Sequence, residues 1–413
     1  VLPHSPTDRP AWLVRLGLFL YDHLGGRKRL PGTRVLNLMR DPEGLPLKAQ
    51  YTKAFEYSDC WVDDARLVVL NAVSARDNGA EILPRTDCKS LRQENGYWVV
   101  RVENTVSGQS REIFAKAVVN AAGPWVNDVI GRVAGGNSSR LVKLVKGSHI
   151  IVPKFWHGQQ AYLIQNHDKR VIFINPYEDD KALIGTTDIA YEGDPNNVSV
   201  DKGEIEYLLE AVNRYFEKPL QEEDVVASFS GVRPLFDDGN GNPSAITRDY
   251  VLDLDRSRGA PLLNIFGGKI TTYRKLAEHA VQELKAIFPQ MGPSWTAIEP
   301  LPGGDILDAN FDAFLLELQH QYSFLPSDLV KHYARLYGTR ATHIIGNASH
   351  IKQLGNQFGP LLFEAELEFL VEYEWACCAD DVLKRRTKHG LTVNPDEVAQ
   401  INEWFKNEHS KTV

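Results

Sequence analysis

Apolar and polar positions divide the chain into a strand-rich region and a helical one. Short apolar runs separated by turn residues dominate residues 146–235, which indicates antiparallel strands around one helix near residues 207–216. Asn95-Gly96 is typical of a hairpin turn and predicts a smaller antiparallel meander between residues 80 and 120. After residues 300–304, a linker of Pro, Leu and Gly, apolar positions recur only at helical spacing. The pattern therefore predicts an α/β plus α+β fold that ends in an all-helical domain.

The turn at Gly267-Gly268 joins a predicted buried strand, residues 261–266, to a predicted amphipathic helix that reaches residue 288. A glycine pair lets the backbone approach a ligand closely, and the N–H groups at a helix start can bind an anion. Lys269, Thr271 and Thr272 fall in the first turn, where a bound polyanion would need them. An ordinary strand–helix turn is the alternative, and it is the commoner meaning of a single glycine pair.

Small residues also follow the strand predicted at residues 113–119. Asn120-Ala121-Ala122-Gly123 comes directly after it, and helical spacing begins at Trp125. Small side chains at the end of a strand allow close approach of a planar ligand. Packing explains the same residues equally well.

An apolar segment near the start of the chain has two interpretations. Residues 11–21 are apolar except for Arg15, and the basic run Arg27-Lys28-Arg29 follows them. A short apolar helix with a basic flank suits the surface of a membrane. A buried core helix is the alternative, and the sequence alone slightly favours it.

Composition excludes several classes of function. The net charge of −8 and the lack of a basic block interleaved with aromatic residues argue against a nucleic-acid partner. The four cysteines have no metal-ligand spacing, and no local His, Cys, Asp and Glu cluster predicts a metal site. Adjacent Cys377-Cys378 is an unfavourable disulfide, so a reduced, cytoplasmic compartment is expected. No apolar run is long enough to span a bilayer.

Seven ordered motifs resemble FAD-dependent glycerol-3-phosphate dehydrogenases of the aerobic, quinone-linked type. They cover nearly the whole chain, through to Trp375 and Lys388, and comprise Asp63–Leu67, Asn120–Trp125, Lys146–His149, Gly185–Asp188, Ser230–Leu235, Thr247–Tyr250 and Gly267–Glu278. The family's Gly-x-Gly-x-x-Gly turn, which holds the ADP part of FAD, is missing from this sequence. We therefore expect a chain that lacks its first βαβ unit and that binds FAD weakly or not at all by itself.

The resemblance implies a domain plan. Residues 1–145 would form a partial, Rossmann-like FAD-binding domain with an N-terminal amphipathic segment, and residues 146–235 an inserted substrate-binding sheet domain. Residues 236–298 would return to the FAD-binding domain. Residues 305–413 would form the C-terminal helical domain.

The resemblance also implies site residues, each of which has a plainer alternative. The cofactor-binding set comprises Ala121, Ala122, Gly123, Gly267, Gly268, Lys269, Thr271 and Thr272. The substrate-binding set comprises Thr186, Arg233, Arg248 and Lys269, and the catalytic set His149, Arg233 and Lys269. Arg233 and Arg248 would hold phosphate, and Thr186 would donate a hydrogen bond to the substrate. His149 would act as the base or as an orienting group, and Lys269 would stabilise negative charge on the reduced flavin or reach the substrate. The arginines could instead be surface residues, Arg248 could pair with Asp249, and His149 could be structural.

The reaction implied is oxidation of sn-glycerol 3-phosphate to dihydroxyacetone phosphate, with electrons passing through FAD to membrane quinone. Such a protein would be cytoplasmic and peripheral on the inner face of the cytoplasmic membrane, bound to its anionic surface, and a homodimer by analogy. Two alternatives stay open, namely an oxidase that uses oxygen and an inactive fragment that acts only as a docking module.

Overall fold

The computed structural model describes residues 1–5, 9–24, 30–136, 140–236, 250–257 and 259–409. They divide into two compact units, which are described separately. Unit 1 comprises Val1–Trp61, Cys88–Glu103 and Gln109–Leu284, and unit 2 comprises Val62–Asp87, Asn104–Gly108 and Lys285–Val413. No described helix combines the length and the hydropathy that crossing a membrane would require.

The described residues form fifteen strands and ten α-helices. The strands are β1 Leu2–His4, β2 Arg34–Asn37, β3 Lys53–Glu56, β4 Thr86–Glu94, β5 Tyr97–Asn104, β6 Ser110–Ala115, β7 Val118–Asn120, β8 Val142–Pro153, β9 Tyr162–Gln165, β10 Val171–Tyr177, β11 Lys181–Gly185, β12 Ile189–Tyr191, β13 Ala227–Phe236, β14 Val251–Asp255 and β15 Leu262–Phe266. The helices are α1 Ala11–Leu24, α2 Asp64–Asp77, α3 Val126–Asp128, α4 Lys202–Tyr215, α5 Tyr273–Leu284, α6 Phe311–Gln321, α7 Ser327–Tyr337, α8 Ala341–Ile345, α9 Glu364–Glu374 and α10 Pro395–His409.

The largest sheet of unit 1 is built around the long strand β8. Its order is β12-β8-β11-β10-β9, and β13 pairs antiparallel with β8 on the other edge. Side chains alternate between the two faces of a strand. Ile150 and Val152 of β8 point to one face and pack in the core with Leu208 and Val212 of α4. The alternating residues His149 and Ile151 point to the opposite face.

A second sheet of unit 1 has the order β14-β15-β7, with β15 and β7 parallel. All five residues of β15 are buried. The amides of Asn120 and Asn264 lie opposite each other in this pairing, and Asn120 Nδ2 donates to Asn264 Oδ1 at 2.9 Å. The prediction of one continuous strand over residues 113–119 is wrong, because two strands occupy this range. β6 ends at Ala115 in another sheet, and β7 starts at Val118.

Helix α1 exposes the apolar face that the sequence predicted. Trp12 is 68% exposed and Phe19 54%, and Leu16 and Leu20 on the same face are also exposed. The slightly favoured alternative, a buried core helix, is therefore wrong for the part of the chain that the structure describes, because this apolar face is exposed there. The basic run Arg27-Lys28-Arg29 lies outside the described residues.

Unit 2 is helical and is centred on a buried ion-pair network. The Glu374 carboxylate at the end of α9 accepts from Arg66 Nη2 of α2 at 2.8 Å and from Arg340 Nη1 at 3.1 Å. Arg66 Nη1 donates to the second oxygen of Glu374. Lys388 Nζ contacts both oxygens of Asp63, which caps α2, at 3.1 Å. These contacts attach α2 to helices that lie about three hundred residues away in sequence.

Candidate functional site

A row of four residues crosses the open face of the large sheet of unit 1. Phe173, Gly185, His149 and Phe229 are successive cross-strand neighbours on β10, β11, β8 and β13. The rings of His149 and Phe229 stack, with centroids 5.0 Å apart and planes inclined by 12°. A Cβ at Gly185 would meet His149 Cγ at 2.7 Å, so the glycine makes room for the imidazole. Phe173 and Phe229 are each more than 40% exposed, so this face is aromatic and accessible.

Arg233 lies on the same face of β13 as Phe229, four residue pairs along the ladder from the His149–Phe229 pair. Its Nη2 donates to Thr186 Oγ1 at 2.9 Å and to the Thr187 carbonyl at 3.3 Å, and its Nη1 forms an ion pair with Asp188. A Cβ at Gly147 would overlap this guanidinium and approach Thr186 Oγ1 to 2.6 Å. The guanidinium carries five N–H donors, so these contacts fix its orientation and leave capacity for an anionic ligand.

On the other face of the same sheet, Glu204 of α4 holds β8 and the segment after β11 in place. Its buried carboxylate accepts from Ser148 Oγ at 2.8 Å, from Thr187 Oγ1 at 2.7 Å and from Lys146 Nζ at 2.7 Å. Burial opposes the charge of Lys146, but hydrogen bonds to Glu204 and Asp201 outweigh it and raise the pKa of Lys146. The Lys146-Gly147-Ser148-His149 motif thus divides between the faces, with Lys146 and Ser148 on the anchor side.

The sequence reasoning missed Glu204, although a signal for it was present. Asp201 and Glu204 form a capping box at the start of α4, with Asp201 Oδ1 accepting from the Glu204 backbone at 3.0 Å. The Asp-x-x-Glu spacing before an apolar helical pattern is the sequence signature of this motif. Phe173 and Phe229 were also missed as neighbours of the site, because only the cross-strand register brings them there. Asp188 lies in the Gly185–Asp188 motif, but its ion pair with Arg233 was not predicted.

The predicted cofactor-binding residues lie where two parallel strands of unit 1 end side by side. Strand β7 leads into Ala121, Ala122 and Gly123, and β15 leads into Gly267 and Gly268. The φ angles of Gly123, Gly267 and Gly268 are 55°, 76° and 107°, a region that favours glycine. A Cβ at Gly268 would meet Leu276 Cδ1 at 2.8 Å. Bare backbone at the carboxyl ends of parallel strands suits close approach of a nucleotide cofactor, so these residues fit FAD.

Lys269 stands at the entrance to the helix that follows. It has extended backbone and precedes a 3₁₀ turn at Ile270–Thr272, whose Thr272 Oγ1 donates to the Lys269 carbonyl at 3.2 Å. The side chains of Lys269, Thr271 and Thr272 are exposed. Helix α5 begins at Tyr273 and ends at Leu284, so the predicted extension to residue 288 is wrong.

The segments around Gly123, Arg233 and Gly267 are adjacent in unit 1. A Cβ at Gly123 would lie 4.0 Å from Cγ of Pro234, the neighbour of Arg233. Phe236 at the end of β13 contacts Phe266 at the end of β15, with ring centroids 6.4 Å apart. His149 and Arg233 lie inside β8 and β13, respectively. Arg248 lies outside the described residues.

Comparison with known proteins shows the family. A family model described as FAD dependent oxidoreductase matches residues 1–274, and one described as the C-terminal domain of alpha-glycerophosphate oxidase matches residues 294–404. D-erythritol 1-phosphate dehydrogenase of Brucella abortus is 63% identical over 407 residues, which cover 98% of this chain and 81% of the relative. Aerobic glycerol-3-phosphate dehydrogenase of Escherichia coli is 47% identical over 405 residues, which cover 98% and 80%.

A solved structure agrees with this assignment. Glycerol-3-phosphate dehydrogenase of Bacillus halodurans, complexed with FAD, superimposes with a TM-score of 0.77 at 29% identity, covering 91% of this chain and 75% of that one. The predicted fold class and the predicted cofactor, FAD, are confirmed. The chain belongs to the FAD-dependent oxidoreductases.

Proposed function

We propose that this protein oxidises a secondary hydroxyl of a phosphorylated polyol, and that D-erythritol 1-phosphate is its substrate. The observation that supports this choice of substrate is the 63% identity to the Brucella abortus D-erythritol 1-phosphate dehydrogenase. sn-Glycerol 3-phosphate, which the sequence motifs predicted, is the second candidate, and the 47% identity to the Escherichia coli enzyme favours it. Both molecules combine a phosphate with a hydroxylated carbon chain, so both suit a site with one fixed cation.

The open sheet face of unit 1 supports this chemistry. Oxidation of a secondary alcohol to a ketone breaks a C–H bond, whose electron pair leaves as hydride, and an O–H bond, whose proton needs an acceptor. Bound FAD supplies the hydride acceptor. A ring nitrogen of His149 would take or orient the hydroxyl proton, because imidazole exchanges protons near neutral pH. Arg233, held by Thr186 and Asp188, would bind the phosphate through its planar fork.

The substrate proposal predicts a kinetic preference. We expect kcat/KM for D-erythritol 1-phosphate to exceed that for sn-glycerol 3-phosphate by about 10- to 100-fold, the usual worth of one matched substrate group. The measurement is anaerobic bleaching of the flavin band in FAD-loaded protein, followed by steady-state reduction of a soluble quinone analogue.

Two controls test whether the phosphate group and the quinone are needed. Unphosphorylated erythritol should bleach the flavin far more slowly, because it lacks the group for Arg233. The reverse preference would make sn-glycerol 3-phosphate the substrate, and bleaching by neither phosphate would remove the proposed reaction. Oxygen uptake at the same rate without quinone would identify the oxidase alternative.

Lys269 is proposed to stabilise negative charge on the reduced cofactor or to reach the substrate. Lys269→Ala is expected to lower turnover by about 100-fold while FAD stays bound, in line with the loss of one preorganised electrostatic contact. Lys275→Ala is the matched control, since Lys275 lies on α5 and pairs with Glu278 at 2.8 Å. Near-normal turnover of Lys269→Ala, with flavin content equal to wild type, would exclude this role.

We also propose that α1 attaches the protein to an anionic membrane surface, where quinone would accept the electrons on the cytoplasmic side. The exposed row of Trp12, Leu16 and Phe19 is the support, since apolar helix faces of this kind enter the headgroup region. Changing all three to serine is expected to abolish co-sedimentation with vesicles that contain phosphatidylglycerol. Phe114→Ser, at an exposed position of β6, should leave it unchanged. Equal sedimentation of all variants would contradict the attachment.

A further inference from the structure

Three side chains from distant parts of unit 2 converge in its helical core. Glu366 of α9 lies between His332 of α7 and His389, which begins the 3₁₀ turn His389–Leu391. His332 Nε2 is 2.9 Å from Glu366 Oε1, and His389 Nε2 is 3.4 Å from Glu366 Oε2. The two Nε2 atoms are 3.1 Å apart. Glu366 is fully buried, and His389 is buried with it.

Hydrogen bonding alone cannot satisfy this triangle. An ionised carboxylate only accepts, and each Nε2 either carries a proton or presents a lone pair. If both nitrogens carry protons, two N–H groups face each other at 3.1 Å. If either nitrogen lacks its proton, a lone pair faces the carboxylate. As long as the carboxylate is ionised, every placement of protons on the two Nε2 atoms leaves one like pair, and a buried like pair is costly.

A cation at the centre removes this conflict, because it makes all three groups donors of electron pairs to one ion. The three ligand atoms, His332 Nε2, His389 Nε2 and a Glu366 carboxylate oxygen, lie close enough together to bind one ion. Tyr337 fixes the carboxylate by donating to Oε1 at 2.6 Å, which is the kind of outer contact that orients metal ligands.

A fourth polar group lies beside the cluster. The Tyr333 ring is fully buried 5.5 Å from the His332 ring, centroid to centroid, and its hydroxyl has no hydrogen-bond partner among the described residues. A proton donor here suits a water or hydroxide bound at the position that three protein ligands leave open.

The other cluster of potential ligands among the described residues is less suitable. Asp381 is paired with Arg385 at 3.0 Å and with Arg85 at 3.3 Å, so its charge is already balanced. Burial and the hydrogen bond to Asp381 raise the pKa of Cys377 to about 11, which disfavours the thiolate that binds metals. The histidine–carboxylate cluster has neither obstacle.

We propose that His332, Glu366 and His389 bind one divalent transition-metal ion, with Zn²⁺ as the ion to test, and that this ion joins α7, α9 and the 389–391 turn. Two imidazoles and one carboxylate form a donor set that suits Zn²⁺ and its neighbours in the first transition series rather than Mg²⁺ or Ca²⁺. The role is structural, since metal binding that requires the folded arrangement adds to the stability of that arrangement.

Metal analysis of the full-length, FAD-loaded protein tests this. After chelation, dialysis and incubation with excess Zn²⁺, we expect about one tightly bound ion per chain by mass spectrometry and a higher unfolding temperature. His389→Gln and Glu366→Gln should each weaken Zn²⁺ binding by more than about 100-fold, because changes to outer contacts alone cost about 10- to 100-fold. His320→Gln, at an exposed position of α6, is the matched control and should bind like wild type.

A second measurement avoids reliance on variants that could fail to fold. Competition with a chromophoric chelator gives the Zn²⁺ affinity of the wild-type protein, and the flavin spectrum verifies that the protein remains intact. Stoichiometric binding that competes with the chelator supports the site. Substoichiometric Zn²⁺ on intact wild-type protein, or unchanged binding by folded His389→Gln, would overturn it.

Discussion

Replacing Arg233 with alanine is expected to lower kcat/KM for the phosphorylated polyol by about 1,000-fold, with FAD content unchanged. The guanidinium is partly exposed, and Thr186 and Asp188 hold it against the backbone at Gly147. A charged fork in a fixed position forms strong hydrogen bonds to phosphate, and losing one member of such a pair costs several kcal/mol. Steady-state kinetics with both candidate phosphates would measure the loss.

Two companion variants separate this effect from structural damage. Arg233→Lys keeps the charge but not the planar fork, so an intermediate loss is expected. Arg101→Gln, at an exposed position of β5, should leave kcat/KM unchanged. If Arg233→Ala kept FAD and a normal unfolding temperature yet lost less than about 10-fold, phosphate binding by Arg233 would be rejected.

Replacing Glu374 with alanine is expected to destabilise unit 2 by about 3–5 kcal/mol, the usual cost of leaving a buried charge without its partner. The variant would strand two buried guanidiniums, those of Arg66 and Arg340, that together donate three hydrogen bonds to this carboxylate. Denaturant unfolding, followed by tryptophan fluorescence and circular dichroism, would show the change as a lower midpoint.

Glu372→Ala is the matched control for this prediction. Glu372 lies on the same helix α9 but is exposed, so its replacement should change stability by less than about 0.5 kcal/mol. Similar unfolding midpoints for the two variants would show that the Glu374 network contributes little to stability.

Local sequence patterns predicted much of this fold. The hairpin at Asn95-Gly96, the strands around β8 and the helix after Gly267-Gly268 were each visible from periodicity and turn chemistry, and the structure confirms them. The pairing of β13 with β8 was not visible, because it joins residues about eighty positions apart through backbone contacts that leave no local pattern. The burial of Arg66 against Glu374 is still less local, since about three hundred residues separate them.

The candidate functional residues, like the fold, could be predicted from the sequence only in part. Glycines with positive φ at Gly123, Gly267 and Gly268 mark the predicted cofactor segments, because the backbone there requires them. The His332–Glu366–His389 triangle has no ligand spacing in sequence and forms only when three separate elements pack. A search for local metal motifs therefore could not find it.

The two-faced motif in β8 has a consequence for how substrate preference could diverge. Lys146 and Ser148 hold the sheet to α4 through Glu204, whereas Gly147 and His149 face the open side with Phe173 and Phe229. Under the proposed function, substitutions at the two phenylalanines would reshape the space for the carbon chain of the substrate without disturbing the contacts of Glu204 on the other face. Evolution could thus change the preferred polyol phosphate through Phe173 and Phe229 while residues 146–149 stayed the same. Mutant libraries that aim to change substrate preference should begin at those two positions.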